Sequence, residues 1–283
     1  MPSSAALRQQ IETAFQHRYP SVLTPSPKSI REVVPTGIPL IDELLNGGLP
    51  VGAITELTGP ASSGRTSIAL SALAQRTREG SVCAWIDAKD GLDPESAAAS
   101  GIYLNQLLWV RCTEKAAPSP DRSQSKVTRN AQPSQHWTRL DQALRATDLL
   151  LQSGGFSAIV LDLADESIEH ARRIPLATWF RYRQAADRTR CSLLILGKAP
   201  LAQSSAAVVL ECSPATTESV SGTVIRNFSY KVHRRRERFS PAITPVTSID
   251  RKPPASTWTS PAAWAAEKRA SIENRASMEK LRT

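Results

Sequence analysis

The stretch AITELTGPASSGRTSIALSALAQRTR, residues 53–78, decides the fold. Its apolar beginning predicts a short buried strand, and the residues from Arg65 to Arg78 predict a helix. Between them, GPASSGRT has the spacing of a phosphate-binding loop, in which glycines allow a tight turn and backbone amides point at phosphate oxygens. The amino terminus of the helix adds a partial positive charge. The sequence therefore predicts an α/β fold with a phosphate-binding loop.

Short apolar segments alternate with helical segments along the rest of the chain. Further strands are predicted at residues 81–87, 107–112, 158–163, 192–197, 206–212 and 223–232, and further helices at residues 139–152 and 174–188. This alternation indicates a mostly parallel central sheet flanked by helices. Residues 114–135 contain almost no large apolar side chain, so we expect a flexible insertion there. Residues 240–258 are rich in Pro, Thr and Ser, so we expect a linker.

The predicted core spans residues 33–239 and has an extension at each end. Residues 1–32 contain a short amphipathic helix and a Pro-rich linker, and this helix can dock on a neighbouring subunit or on its own core. Residues 240–283 contain a basic linker and a helix from about Pro261. The apolar face of that helix is thin, so it either binds a partner or frays. Both extensions are expected to be flexible.

Charge and composition restrict the possible partners. The chain has 283 residues and a formal net charge of +9. Residues 223–283 contain 13 Lys+Arg and 5 Asp+Glu, a balance of +8, so the positive charge lies in the C-terminal part. This favours a polyanionic partner, with nucleic acid as the first candidate and a merely solvated tail as the alternative. No apolar run would span a membrane and no signal peptide is recognised, so we expect a cytoplasmic protein.

The predicted nucleotide contacts come from the loop and from one strand end. The candidates for ATP binding in the loop are Gly59, Ser62, Ser63, Gly64, Arg65, Thr66 and Ser67. The candidates for the metal site are the Thr66 hydroxyl, which would bind Mg²⁺, and Asp162, which would hold the water shell of the ion. Arg65 departs from the motif because it stands where lysine is expected. An arginine fork is longer and planar, so it cannot take the place of lysine without displacing the loop or the nucleotide.

Several motifs in a fixed order resemble the ATPase core of bacterial RecA. They are VPTGIPLIDELLNGGLPVGAITELTGPASSGRTSIAL at residues 34–70, WIDA at residues 85–88, LDP at residues 92–94, and the two strands that end at Asp162 and in LLILG. The resemblance covers residues 33–239 apart from the insertion. It implies a RecA-like fold that binds ATP and Mg²⁺, and it adds Asp93 to the predicted nucleotide contacts.

The same resemblance implies that the active site is eroded. Lys89 stands where RecA has the glutamate that activates the attacking water, and a lysine cannot accept a proton from water at neutral pH. Gly197 and Lys198 replace the Asn-Gln pair that senses the γ-phosphate, and Ser96 replaces the tyrosine that stacks on adenine. No catalytic residue is therefore assigned, and we expect weak ATP binding with negligible hydrolysis.

The long DNA-binding loop of RecA is reduced here to about APLAQSS, and a basic strand end follows it. The candidates for contacts with nucleic-acid phosphates are Lys231, Arg234, Arg235, Arg236 and Arg238. A shortened RecA-like protein with a degraded loop and a basic extension resembles the ImuA family, which acts in translesion synthesis during the SOS response. The resemblance implies a DNA-repair accessory protein whose partners are RecA, translesion polymerase components and single-stranded DNA.

Two other functions stay open at this point. The first is an active DNA-dependent recombinase-type ATPase in which Asp90 or Glu95 serves as the base. The second is a RecA-fold regulator without nucleic-acid binding, similar to a cell-division inhibitor. The hydrolysis rate of ATP separates the first from an accessory protein, and the salt dependence of DNA binding separates the second.

Overall fold

The computed structural model describes residues 29–113, 138–220, 224–240 and 254–261. The predicted N-terminal helix, the predicted insertion and the predicted C-terminal helix after residue 261 lie outside these ranges. The division into a core and two extensions therefore remains a prediction.

Most strands of the central sheet match the apolar segments of the sequence. The described residues form the strands β1 (Ser29–Ile30), β2 (Val33–Val34), β3 (Leu49–Pro50), β4 (Ile54–Thr58), β5 (Cys83–Asp87), β6 (Leu107–Arg111), β7 (Ala158–Asp162), β8 (Ser192–Gly197), β9 (Ala206–Cys212), β10 (Thr216–Val220), β11 (Val224–Glu237), β12 (Phe239–Ser240) and β13 (Ala255–Pro261). Strands β1 and β12 form one small sheet, β2 and β3 form another, and the remaining nine form the central sheet. The strands β4, β5 and β8 are buried along their whole length, as expected for a sheet covered on both faces.

The helices are α1 (Pro39–Leu44), α2 (Arg65–Arg78), α3 (Pro94–Ala99), α4 (Arg139–Ser153), α5 (Ile168–Arg172) and α6 (Leu176–Thr189). The long helices α2, α4 and α6 begin within two residues of the predicted positions. Helix α4 begins with a capping box, in which Thr138 and Asp141 satisfy each other's backbone amides. The short helices α1, α3 and α5 were not predicted, because five or six residues are too few to show a helical period.

Six neighbouring strands of the main sheet are parallel, in the order β6-β5-β7-β8-β4-β9. Strand β11 continues the sheet in antiparallel direction and pairs first with β10 and then with β9. Strand β13 also pairs antiparallel with β11 and lies along its other edge, because residues 227–229 pair with both β10 and β13. The predicted mostly parallel sheet flanked by helices is confirmed.

Each face of the sheet has its own apolar core. One core contains Trp85, Val160 and Leu196, and helix α2 packs there through Ile68 and Leu73. The core on the other face contains residues of the same strands at the alternating positions, together with residues of helices α4 and α6. All the parallel strands therefore end at one edge of the sheet, between two packed layers, and the phosphate-binding loop follows β4 at that edge.

Two predictions differ from the structure within the described residues. The helix expected from about Pro261 does not begin there, because Ser260 and Pro261 are the last residues of strand β13. Residues 240–258 were predicted as a linker, but residues 255–258 belong to strand β13. The segment ASTWTSP has few apolar residues, so its own pattern does not indicate a strand. It is a strand because its backbone pairs with β11 from Asn227 to His233.

Candidate nucleotide-binding site

The phosphate-binding loop has the backbone that its glycines and serines predict. Gly59 and Gly64 have φ angles of 151° and 84°, and Ser62 lies in the left-handed region with φ 55°. The amide of Ala215 donates to the carbonyl oxygen of Ser62 over 3.1 Å, and the amide of Gly59 donates to the carbonyl oxygen of Gly197 over 3.1 Å. These hydrogen bonds fix the loop between the ends of β8 and β9, directly before helix α2.

Arg65 lies inside the protein rather than in the open part of the loop. Its side chain is almost fully buried, and its Nη1 atom donates to the carbonyl oxygen of Gly197 over 2.6 Å. Burial lowers the pKa of the Arg65 guanidinium, although the nearby charges of Asp162 and Asp165 act in the opposite direction. The cation that replaces the lysine of the motif is therefore bound to the end of a neighbouring strand.

Two aspartates end neighbouring parallel strands, and one of them, Asp162, lies near this arginine. Asp87 of β5 and Asp162 of β7 are register partners. Burial raises the pKa of Asp162 to about 6, and the negative charges of Asp87 and Asp165 add to this effect, while the amide of Ala164 and the guanidinium of Arg65 oppose it. Asp162 is thus placed close to the helix α2 amino terminus, but its carboxylate is held in an environment that disfavours its charge.

Asp87 organises the turn that carries Lys89. Its buried carboxylate accepts hydrogen bonds from the amides of Lys89, Gly91 and Leu92 over 2.9–3.2 Å. The Nε1 atom of Trp109 donates to the same carboxylate over 3.4 Å. The position of Lys89 is therefore fixed by four donors that converge on one buried side chain.

Lys89 forms an ion pair with Glu166, an acid that the sequence analysis did not identify. The Nζ atom of Lys89 lies 3.3 Å from Oε2 of Glu166, whose side chain is only 6% exposed. Nδ1 of His170 lies 3.2 Å from the other carboxylate oxygen, and Lys198 Nζ donates to the backbone oxygen of Glu166 over 3.2 Å. Burial alone would raise the pKa of Glu166, but the hydrogen bonds from His170 and Lys89 lower it below its usual value.

The acids considered as alternative bases point elsewhere or stay exposed. Asp90 forms two hydrogen bonds of 2.6 Å with Arg111 of the edge strand β6, and these hold the pKa of Asp90 below its usual value. Glu95 is exposed on helix α3. Asp93 caps the same helix, because its carboxylate accepts from the amides of Glu95 and Ser96 over 3.3 and 3.0 Å. The predicted contact of Asp93 with a base would have to compete with this cap.

The loop fits a phosphate ligand better than it fits phosphate cleavage. The Oγ atom of Ser63 is buried and has no hydrogen-bond partner among the described residues, whereas Thr66 and Ser67 are exposed at the start of α2. An anion at this helix terminus would meet free hydroxyl and amide donors. In the part of the chain that the structure describes, no group of three or more His, Cys, Asp or Glu side chains forms a metal site by itself. A Mg²⁺ ion would therefore use Thr66, Asp162 and the phosphates.

The predicted nucleic-acid contacts lie on β11 and directly after it, but they do not form a free row of cations. Arg234 is paired with Glu237 over 2.9 Å, and Arg235 is paired with Glu211. Arg236 donates to the carbonyl oxygen of Gln203, and Arg238 donates to that of Ser204 over 2.7 Å. Lys231 is exposed. Four of the five candidates thus have partners within the protein, and their role in DNA binding remains a prediction.

Comparisons with known proteins agree with the fold. Residues 4–116 match the model of the RecA N-terminal domain. The chain is similar to the protein RecA of Treponema denticola, with 37% identity over 132 residues, which are 46% of this chain and 26% of that protein. It is also similar to the protein RecA of Cutibacterium acnes, with 35% identity over 161 residues, 56% of this chain and 38% of that protein. The matches therefore span about a quarter to two fifths of these relatives.

A solved structure extends the likeness to most of the chain. The crystal structure of the RadB recombinase superposes with a TM-score of 0.50 at 16% sequence identity, over 80% of this chain and 94% of that one. No helix in the described residues is long and apolar enough to cross a membrane. The structure, the match to the RecA N-terminal domain and the similarity to RecA together establish that the chain has a RecA-like fold.

Proposed function

We propose that this protein is a RecA-like accessory protein of DNA repair that binds a nucleotide weakly through its phosphate loop and does not hydrolyse it efficiently. The observation that carries the proposal is the ion pair of Lys89 with the buried Glu166, since it puts a cation at the position of the expected catalytic carboxylate. Arg65 supports the proposal, because its guanidinium binds the carbonyl oxygen of Gly197 instead of standing free in the loop.

The cations of this site are compensated within the protein. Lys89 and Lys198 both bind Glu166, one through the side chain and the other through the backbone. A carboxylate that already accepts hydrogen bonds from Lys89 and His170 is a poor general base, because its remaining basicity is reduced. The described site therefore offers donors that hold phosphate oxygens, whereas Glu166, the acid beside Lys89, is already paired with cations.

The partners and the pathway belong to the same proposal. The chain is similar to RecA, and the basic C-terminal part favours contact with single-stranded DNA, so we infer that the protein binds RecA, translesion polymerase components or both, with DNA as a further ligand. The ImuA-like role in the SOS response rests on the eroded site and on the basic extension. An active recombinase-type ATPase is the second candidate, and Asp90, its suggested base, is bound to Arg111.

The hydrolysis rate of ATP tests this proposal. The full-length protein, Lys89→Glu and Thr66→Ala are compared with Mg²⁺ and ATP, with and without single-stranded DNA. Thr66→Ala removes the predicted metal ligand, so it measures any contaminating activity. We expect the unmodified protein to bind ATP and to release phosphate no faster than Thr66→Ala. A DNA-stimulated rate that Thr66→Ala abolishes would establish the recombinase-type alternative instead.

A binding measurement separates the accessory protein from a regulator without nucleic acid. The affinity for a single-stranded oligonucleotide is measured between about 50 and 200 mM salt, the range over which phosphate contacts weaken steeply. Purified RecA is titrated separately onto the immobilised protein. An accessory role predicts saturable binding of RecA or DNA, whereas absence of both would contradict it.

A further inference from the structure

A stacked aromatic pair connects the C-terminal strand to the phosphate loop. Tyr230 of β11 and Trp258 of β13 are direct cross-strand partners, and their ring centroids lie 4.4 Å apart with 19° between the planes. Both rings contact Gly64. A Cβ atom at Gly64 would lie 2.8 Å from Cδ1 of Tyr230 and 3.1 Å from Cζ2 of Trp258. The residue directly before helix α2 is thus packed against a strand from the opposite end of the chain.

Strand β13 is held by contacts that do not involve the loop. Its backbone pairs with β11 along the whole length from Ala255 to Pro261. The ring of Trp258 packs against the core on the α2 face of the sheet, and its Nε1 atom is buried without a hydrogen-bond partner among the described residues. The position of the ring therefore depends on packing and stacking rather than on a directed hydrogen bond.

Gly64 is the residue at which such packing affects ligand binding most directly. It is the N-cap of α2 and adopts a left-handed conformation with φ 84°, which only glycine adopts without strain. This conformation turns the chain from the loop into the helix, so it fixes the direction of the amides at residues 64–66. A contact that restricts Gly64 therefore restricts the donors that would bind phosphate.

We propose that Tyr230 and Trp258 are positioning residues that hold the phosphate loop in its binding conformation, so that the ordering of β13 and the binding of a nucleotide triphosphate are coupled. The proposal rests on the proposed function, because it concerns the same loop. By linkage, a ligand that prefers the ordered loop also stabilises the docked strand to the same extent. Residues 255–261 thus report on the occupancy of a site formed by residues 59–66.

Hydrogen exchange of the full-length protein tests the coupling without requiring a ligand. Trp258→Ala removes the ring, Trp258→Phe keeps a smaller one, and Thr257→Ala changes an exposed neighbour on the same strand. We expect Trp258→Ala to speed amide exchange at residues 62–68 by about tenfold, the factor that the loss of a stacked aromatic contact corresponds to. Trp258→Phe should give a smaller increase, and Thr257→Ala should leave the loop unchanged.

A second experiment measures the binding of ATP with Mg²⁺ and, separately, of inorganic tripolyphosphate. We expect Trp258→Ala to weaken both by about tenfold, and we expect ATP to slow exchange at residues 255–261 in the unmodified protein but not in Thr66→Ala. Unchanged exchange at residues 62–68 in Trp258→Ala would overturn the positioning role. If that variant is too unstable to purify, unchanged exchange in Trp258→Phe would overturn it. If the unmodified protein binds neither probe, the proposed function fails, while the exchange rates still decide the contact.

Discussion

The replacement of Asp162 by asparagine should stabilise the protein at alkaline pH. Asp162 has a pKa of about 6 in the folded chain, against 3.8 for an ordinary aspartate, mainly because burial disfavours its charge. A carboxyl group whose pKa is raised by folding contributes stability at low pH, and that stability is lost as the pH rises from 3.8 through 6. The full cost above pH 6 is at most about 3 kcal/mol. Asparagine has no charge, so it removes this cost.

The size of the effect must depend on pH if this reasoning holds. At about pH 8, Asp162→Asn should raise the free energy of unfolding by about 1–3 kcal/mol, and at about pH 5 the gain should fall to about half, because the carboxyl of the folded protein is then mostly protonated. The amide oxygen of the substituted side chain can still accept the hydrogen bond that the Ala164 amide donates to Asp162 over 2.9 Å.

Urea unfolding at the two pH values measures this difference. Asp187→Asn is the control, because Asp187 is exposed and its ion pair with Arg31 contributes less than about 1 kcal/mol at either pH. A loss of stability in Asp162→Asn at the higher pH, or a gain that is equal at both pH values, would refute the view that Asp162 is ionised at a cost. Either result would mean that a neighbouring group stabilises the ionised carboxylate of Asp162.

Three further predictions concern single side chains. Tyr182→Phe removes a hydroxyl that donates to the backbone oxygen of Leu144 over 2.6 Å, so it should cost about 1 kcal/mol in urea unfolding, and no loss would contradict this contact. Asp87→Ala leaves three amides without their buried acceptor and should cost at least about 2 kcal/mol in thermal unfolding; a cost within the measurement error would show that the turn does not depend on it. Lys231→Ala should weaken binding of single-stranded DNA and lower its salt dependence by about one phosphate contact. Arg234→Ala should change binding less, because the Arg234 side chain is already paired with Glu237. A larger effect of Arg234→Ala than of Lys231→Ala would contradict this assignment.

The sequence predicted the central sheet because the physical signal of that sheet is local. A parallel strand covered on both faces is a short apolar run, and SLLILG at residues 192–197 is a strand over that whole range. Helix α2 occupies the residues predicted for it, because a glycine before Arg65 and the apolar residues after it mark the start of the helix within one segment. Elements of this kind need no knowledge of their neighbours.

Strand β13 was missed because its signal is not local. Its segment ASTWTSP contains one tryptophan among small, mostly polar residues, and this composition is also typical of a linker. It becomes a strand through backbone pairing with β11, and β11 is itself longer than its apolar part because its basic end pairs with β9. Edge strands take their stability from such pairing rather than from intrinsic preference, so a polar edge strand has almost no signature in the sequence.

At the site, too, the sequence shows the residue types but not the contacts between residues that are far apart in the chain. The resemblance to RecA implies a carboxylate at the position of Lys89, and this lysine is visible in the sequence, but its surroundings depend on Glu166, which lies after a different strand. A buried acid beside two lysines and a histidine is tolerated because those cations compensate its charge, and in turn it restrains the cations. Lys89 and Lys198 are therefore parts of one compensated network, whereas Arg65 is bound separately to the carbonyl oxygen of Gly197. Restoring a glutamate at residue 89 alone would place two carboxylates side by side, so we expect it to destabilise the site rather than to recover hydrolysis.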